Sequence, residues 1–522
     1  MPLNKKYNVW LFAGALLVCF VVSAVVRYQQ LETWEKTPAA YFVGERPMMT
    51  TLDAPYWLRW AREYNNGTYG QKGGLRGYPE STETFQKMSV KEFPIPLKYA
   101  DPTPTSSSST ALGIRYRDVP LLSILIAHLA PFFNHNYYLT GTLLIPTLAS
   151  LFILPLGIFF FQIGVPASGL LGGLIGTFAG GYYMRSSIGR IDTDMLNLFF
   201  PLLAALMILL VSRAKTERYV FLFSIGAGLC LFLFQWWYGK PGFTLAYFAV
   251  LIFSQFIQRI RFRTILLSAL LFVLCAHPGT FMSGTSNINN FLKGYFSIEG
   301  TREVVIDNRT TPASFPNTMT TISEVDQVQM DEVLRRVLSN TLFAWVGFIA
   351  FFGLAVLRWR VLLPLVPMLA LGLLSFQSSN RFIMYLAPFT GIGLGLLFHL
   401  VIEGVFYFFA TENMYNNFKG ESIKGKGSLW ALFYSVVAGT HIESTTKDTD
   451  NKEKSKREKG ENERLKGKGS LSKSCWIYWL GWARQGTLYL GVGVFFLWIS
   501  SRTAISFVPG PSIHTGLYAT FF

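Results

Sequence analysis

Eleven apolar runs of helix length, joined by links that hold most of the charge, leave this chain few ways to fold. In hydrocarbon every backbone N–H and C=O must bond within its own segment, so a run of roughly 20 apolar residues has to be a helix. The runs lie at about 8–26, 138–162, 168–184, 195–211, 219–237, 241–258, 263–281, 341–357, 361–376, 382–409 and 485–508. A mean hydropathy of +0.33, with 51% hydrophobic residues over 522 positions, excludes an ordinary soluble globule. The expected fold class is therefore all-α, a polytopic transmembrane helical bundle of about 11 spans. Val119–Phe133 is shorter and contains His128, which suits an interfacial or re-entrant helix. Ala431–Gly439 is shorter still.

Charge supplies an independent check, because cytoplasmic loops collect Lys and Arg. If the chain starts inside on an uncleaved first helix, the inner loops hold Arg213, Lys215 and Arg218, then Arg259, Arg261 and Arg263, then Arg358 and Arg360, then the basic segment 411–484. All four agree. The same parity puts the links carrying Asp53, Asp192 and Asp194, Glu324 and Arg381 on the outer side. The net charge of +16 sits largely in such links, which points to anionic lipid head groups and not to nucleic acid. Three regions follow: a transmembrane domain over 1–410 with large outer loops at 27–137 and 282–340, a basic low-complexity inner loop at 411–484, and a last span with a short outer tail at 485–522. The inner loop contains the near repeats Ile423–Leu429 and Leu465–Leu471, and its composition predicts disorder or a position on the inner leaflet.

The link between the third and fourth runs reads Arg185-Ser-Ser-Ile-Gly-Arg190-Ile-Asp192-Thr-Asp194-Met195. Two carboxylates one residue apart at a membrane boundary form a D-x-D arrangement, which many glycosyltransferases use to hold a hard cation. Asp favoured at a helix N-terminus accounts for the same residues. Asp53, in Thr51-Leu-Asp53-Ala-Pro, and Glu324, in Thr321-Ile-Ser-Glu324, stand at comparable outer positions. Glu299, Arg302 and Glu303 read as a solvated helical face. The four cysteines, Cys19, Cys230, Cys275 and Cys475, lack the paired spacing of a zinc site and read as buried filler.

Taken in order, Asp53, the block Tyr182-Tyr183-Met-Arg185 to Met195, Gln235-Trp-Trp-Tyr238, Thr321–Glu324 followed by Arg335-Arg336, and Asn380-Arg381-Phe-Ile-Met-Tyr385 resemble the catalytic subunit of oligosaccharyltransferase. The resemblance is strongest to the bacterial single-subunit enzymes of the PglB type. It implies a membrane domain of the GT-C glycosyltransferase kind that moves a glycan from a polyprenyl-pyrophosphate donor to an acceptor asparagine, with inversion. It further implies Mn2+ or Mg2+ on Asp53, Asp192 and Glu324, with Asp194 beside them. Asp53 and Glu324 would engage the acceptor amide and Thr321 would help position the acceptor. Arg381, with Arg185 and Tyr385, would bind the donor. The catalytic residues would then be Asp53, Glu324 and Arg381, on the periplasmic face of the inner membrane. The partners would be lipid-linked oligosaccharide, acceptor polypeptide and membrane lipids.

Two features depart from the family pattern. Thirteen spans are usual there, and the outer globular domain with its Trp-Trp-Asp motif is not expected among these 522 residues. Trp236-Trp237-Tyr238 lacks the aspartate and reads as an aromatic anchor at a helix end. A separate outer-domain subunit, or a different acceptor such as a protein or lipid hydroxyl, therefore stays open, and a transporter is the remaining class.

Overall fold

The computed structural model describes residues 8–69, 119–281, 284–286, 288–289, 299–306, 309–316, 329–376, 380–417, 467–500 and 507–511. Its main helices are α1 Val9–Lys36, α2 Ala54–Asn65, α3 Leu121–Leu129, α4 Tyr137–Ser150, α5 Ile153–Gln162, α6 Pro166–Phe178, α7 Phe199–Ser212, α8 Glu217–Tyr238, α9 Pro241–Ile257, α10 Phe262–Cys275, α11 Met330–Val337, α12 Thr341–Leu357, α13 Val366–Leu374, α14 Ile383–Asn417 and α15 Gly467–Ile499. Each of the eleven apolar runs contains helix. By length and composition, however, five described helices suffice to cross a membrane, or up to seven if each of two bent pairs is one span. The shortfall has a local cause. Proline starts α6 and α9, and α6 ends after 13 residues, about 20 Å of rise. Helix length among the described residues therefore does not carry the expected count of 11.

Helix α6 lies at the centre, with all thirteen of its residues buried. It packs on α14, α5, α1 and α15. Lipid tails are as apolar as leucine, so helices in a bilayer gain by close packing at small residues, and α6 and α14 meet through glycines. A Cβ on Gly391 would lie 2.8 Å from the Gly172 Cα and from the Leu171 carbonyl, and one on Gly395 would lie 2.6 Å from the Ala167 carbonyl. Gly391→Val is expected to separate the two helices at a cost of about 1–3 kcal/mol, read as a lower melting temperature in detergent.

Helix α1 buries Phe12, Leu16, Cys19, Ser23, Arg27, Gln30 and Trp34, one stripe at helical spacing, and turns Leu17, Val18, Val21 and Val25 outward as a lipid-facing surface. It runs ten residues past the apolar run, because Arg27 is a buried, bonded member of the stripe and does not end the helix. The supposed outer loop from 27 thus begins as helix and later contains α2 and α3.

Two arginines assigned to different inner loops meet at one helix end. Arg358 donates to the Ile163 carbonyl at 2.6 Å, and Arg213 donates to the Gln162 carbonyl. Cations at a helix C-terminus satisfy its last carbonyls, so this end of α5 gathers charge from links the parity argument had put on one side.

Two expectations are corrected. Glu299, Arg302 and Glu303 lie on a strand, Glu299–Ile306, paired antiparallel with Arg309–Pro316 in a hairpin. The β-branched Thr301, Val304, Val305, Ile306, Thr310 and Thr311, with only Asp307 and Asn308 between the strands, supply the signal. The basic segment is helical at both ends, since α14 continues to Asn417 and α15 starts at Gly467. Residues 418–466, with Ala431–Gly439, lie outside the described residues. Cys19 and Cys230 are buried and Cys275 half-buried.

Candidate functional site

The link after α6 folds as a series of short turns, not as a continued helix. Ala179 leaves the helix in an extended conformation, Gly180–Tyr183 makes one helical turn, and Met184–Ser186 one 3-10 turn. Gly189 then adopts φ +76°, and a Cβ there would lie 2.5 Å from the Trp34 ring and 2.9 Å from the Met48 carbonyl. Only glycine tolerates that conformation and approach without strain. Asp192 follows as the cap of a 3-10 turn over Thr193–Leu196, its Oδ1 accepting from the Thr193 N–H at 2.6 Å.

Asp194, with no exposed surface, sits in a cage of donors. Its Oδ2 accepts from Arg185 Nη1 at 2.9 Å, and its Oδ1 from Arg381 Nη2 at 3.2 Å and Asn197 Nδ2 at 3.0 Å. The turn at Asn380–Phe382 delivers Arg381 from the start of α14. Its guanidinium also lies 5.9 Å from the centre of the Tyr238 ring. Burial works against the Arg381 charge, yet Asp194 outweighs it and raises the pKa well above the usual arginine value. Its side chain remains 29% exposed, so the fork is anchored on one side and open on the other. Tyr385, one turn along α14, is buried.

Asp192 behaves differently from its neighbour. Burial, then repulsion from Asp194, push its pKa up to about 6, while the Thr193 N–H, Arg190 and Arg381 pull the other way. A carboxylate that is costly to charge gains from a cation brought beside it.

Asp53 is exposed and caps α2 without a side-chain bond. Its segment is stitched to the acidic loop, because Thr50 N–H donates to the Gly189 carbonyl at 3.0 Å and Thr50 Oγ1 to the Ile188 carbonyl at 3.3 Å. Asp53 and Asp192 each stand three residues beyond that stitch. Thr321 and Glu324 lie outside the described residues. Arg335 and Arg336 pair with Glu332 on α11 and line a cavity of about 220 Å³ against Tyr183 and Phe507.

The described residues fit a hard divalent cation in part. Asp192 and Asp53 bring carboxylate oxygens to neighbouring segments. Both Asp194 oxygens, in contrast, already accept from arginine, which makes Asp194 an anchor for guanidinium groups more than a metal ligand. Among the described residues no three His, Cys, Asp or Glu side chains gather closely enough to hold a metal.

Several residues that shape the site carry no motif. Trp237 Nε1 donates to the Thr193 carbonyl at 2.7 Å, between the two aspartates, and Trp236 Nε1 to the Val119 carbonyl at 2.8 Å. The pair read as an aromatic anchor thus braces the acidic loop and the start of α3. The Tyr182 hydroxyl lies 2.8 Å from the carbonyls of Ala149 and Met195. Asn197 was legible only as a polar residue three beyond Asp194.

Residues 118–422 match the family model described as oligosaccharyl transferase STT3, N-terminal. An undecaprenyl-diphosphooligosaccharide–protein glycotransferase of Campylobacter jejuni (strain RM1221) is 24% identical over 392 residues, covering 66% of this chain and 50% of that protein. The protein of the same name from C. jejuni strain NCTC 11168 matches to the same extent. The chain thus spans about half the length of the curated relatives it matches. Among solved structures, the archaeal oligosaccharyltransferase AglB from Archaeoglobus fulgidus, in complex with an inhibitory peptide and a dolichol-phosphate, aligns with a TM-score of 0.46 at 13% identity, over 81% of this chain and 54% of that one. The apo form of the A. fulgidus enzyme aligns with a TM-score of 0.43 at 14% identity, over 82% and 55%.

Proposed function

Because the chain belongs to the oligosaccharyl transferase STT3 family, we propose that it transfers a preassembled oligosaccharide from a polyprenyl-pyrophosphate donor to an asparagine of an acceptor polypeptide. The observation that carries this reading is the Asp194 cage, which aims a half-exposed arginine fork from α14 beside the buried carboxylate of Asp192. A guanidinium matches phosphate oxygens with parallel N–H donors, and an anchored one spends little entropy on binding. Its place at the end of a membrane helix suits a donor whose lipid tail stays in the bilayer while its sugar meets water.

In this reading the acceptor amide nitrogen attacks the anomeric carbon of the first sugar, the C–O bond to the pyrophosphate breaks, and configuration inverts. Asp53 and Glu324 hold the amide and accept its proton. Arg381 stabilises the charge that grows on the departing pyrophosphate, held to its task by Asp194 and backed by Arg185. Asp192, Asp53 and Glu324 would hold Mn2+ or Mg2+, which supplies Lewis-acid stabilisation of the same leaving group. The site would face the periplasm, and recognition around the acceptor would be supplied by sequence beyond this membrane domain or by a separate subunit. A hydroxyl acceptor needs less activation than an amide, so two acids aimed at the acceptor favour asparagine.

The loop brace gives a mild test. Trp237→Phe removes one hydrogen bond worth about 1 kcal/mol. It is expected to lower the transfer rate by up to about tenfold, measured as glycopeptide formed per unit of folded protein. An unchanged rate would show that the Thr193 carbonyl needs no brace.

A further inference from the structure

The outer half of the α1 stripe is polar where an apolar surface would pack as well. Arg27 has no exposed surface. Its Nε donates to the Ser186 carbonyl at 2.8 Å. Its Nη1 lies 3.1 Å from the Ser23 carbonyl, 2.9 Å from Ser23 Oγ and 3.0 Å from Thr177 Oγ1. Its Nη2 reaches the Thr177 carbonyl at 3.0 Å and Ser186 Oγ at 2.8 Å. The Tyr183 and Tyr182 rings lie 4.9 and 5.8 Å from the guanidinium. Among the described residues no carboxylate pairs with it.

Burying a guanidinium among neutral oxygens is a costly way to join helices, and a well-packed apolar group usually serves stability as well or better. What the arginine adds is a fixed fork that reaches three segments at once: α1 itself, the last turn of α6 at Thr177, and the acidic loop at Ser186. Ser186 follows Arg185 directly and precedes Asp192 by six residues. One turn further along α1, Gln30 continues the grip, its Oε1 accepting from the Ile188 N–H at 3.0 Å and its Nε2 donating to the Tyr183 hydroxyl at 3.0 Å.

We propose that Arg27 is a positioning residue that sets the acidic loop, and through it Arg185, Asp192 and Asp194, at the height where donor and acceptor meet. The catalytic half of this inference rests on the proposed transfer activity; the holding of the loop does not. The family's acids and arginines sit on the loop, whereas Arg27 acts from a different helix and touches none of the reacting atoms.

Arg27→Lys keeps the charge and loses the fork, since one ammonium cannot span Ser186 and Thr177 in the guanidinium geometry. Arg358→Ala, at the far end of α5, serves as the stability control. Hydrogen exchange of peptides covering 184–196 in the full chain reads the loop directly. In Arg27→Lys that exchange is expected to quicken at least about tenfold and kcat to fall at least about tenfold, with KM for donor and acceptor held within about twofold. Arg358→Ala is expected to melt earlier with loop exchange and kcat unchanged. Ser186→Ala, which removes one acceptor of the fork, should give a weaker effect of the same kind and covers the case of a lysine variant that fails to fold.

Unchanged loop exchange, faster exchange with unchanged kcat, or equal changes in Arg358→Ala would each overturn the proposal. If the wild-type chain transfers nothing under any acceptor and donor supply, the proposed function fails and takes the catalytic half with it. The exchange result alone then decides whether Arg27 holds the loop.

Discussion

Arg381→Ala is expected to lower glycan transfer by about 10²–10³-fold, the range seen when one preorganised donor to a developing anion is removed, while the protein stays folded in the membrane. The fold survives because Asp194 keeps Arg185 and Asn197 as partners. Arg381→Lys should recover part of the rate, since a point charge remains but the parallel donors are lost. Asp194→Ala is the sharper variant, because it leaves two guanidinium groups without their shared anion. Breaking a buried pair costs about 3–5 kcal/mol, and the lower end applies, as Arg381 is 29% exposed. Asp194→Ala should therefore lose both transfer and melting temperature, whereas Arg381→Ala loses chiefly transfer. Initial rates with purified lipid-linked donor, set beside melting curves in detergent, separate the two. A full-rate Arg381→Ala would remove the pyrophosphate clamp from the account.

The second large effect concerns the other carboxylates. Asp192→Asn, Asp53→Ala and Glu324→Ala are each expected to reduce transfer by about 10³-fold or more, in line with the several kcal/mol that a Lewis-acid cation supplies to a leaving group. All three should remain in the membrane at wild-type level. Binding of Mn2+, followed by the loss of free-ion resonance on titration, should weaken in Asp192→Asn and stay close to wild type in Asp194→Asn, because the Asp194 oxygens already serve arginine. Equal weakening in the two variants would place Asp194 among the ligands.

The helices were legible because the bilayer leaves a long apolar run no other structure, and the loop signs followed from where Arg and Lys fall. Span number was less legible. Pro166 and Pro241 start helices late, and the apolar run that includes α6 continues past Phe178 into turns that hydropathy cannot distinguish from helix. The acids stood out as charges between apolar runs, and the ordered blocks singled out Arg381. Their division of labour did not show in the sequence. Asp192 and Asp194 are two residues apart, yet one is a guanidinium anchor and the other a buried acid with a raised pKa, a difference set by Arg185, Arg381 and Asn197 arriving from three directions. Arg27 carried a faint signal, a lone cation in phase with the buried stripe of α1, which was read as the end of a span. Trp237 was masked by the frequency of tryptophan at membrane interfaces.

The most direct test supplies membranes containing the wild-type chain with a polyprenyl-pyrophosphate oligosaccharide and an asparagine-containing acceptor polypeptide, then locates the glycan by peptide mass spectrometry. The account predicts glycan on asparagine with the wild type and its near-complete loss with Arg381→Ala. Glycan on a hydroxyl side chain, or equal transfer by both proteins, would contradict it.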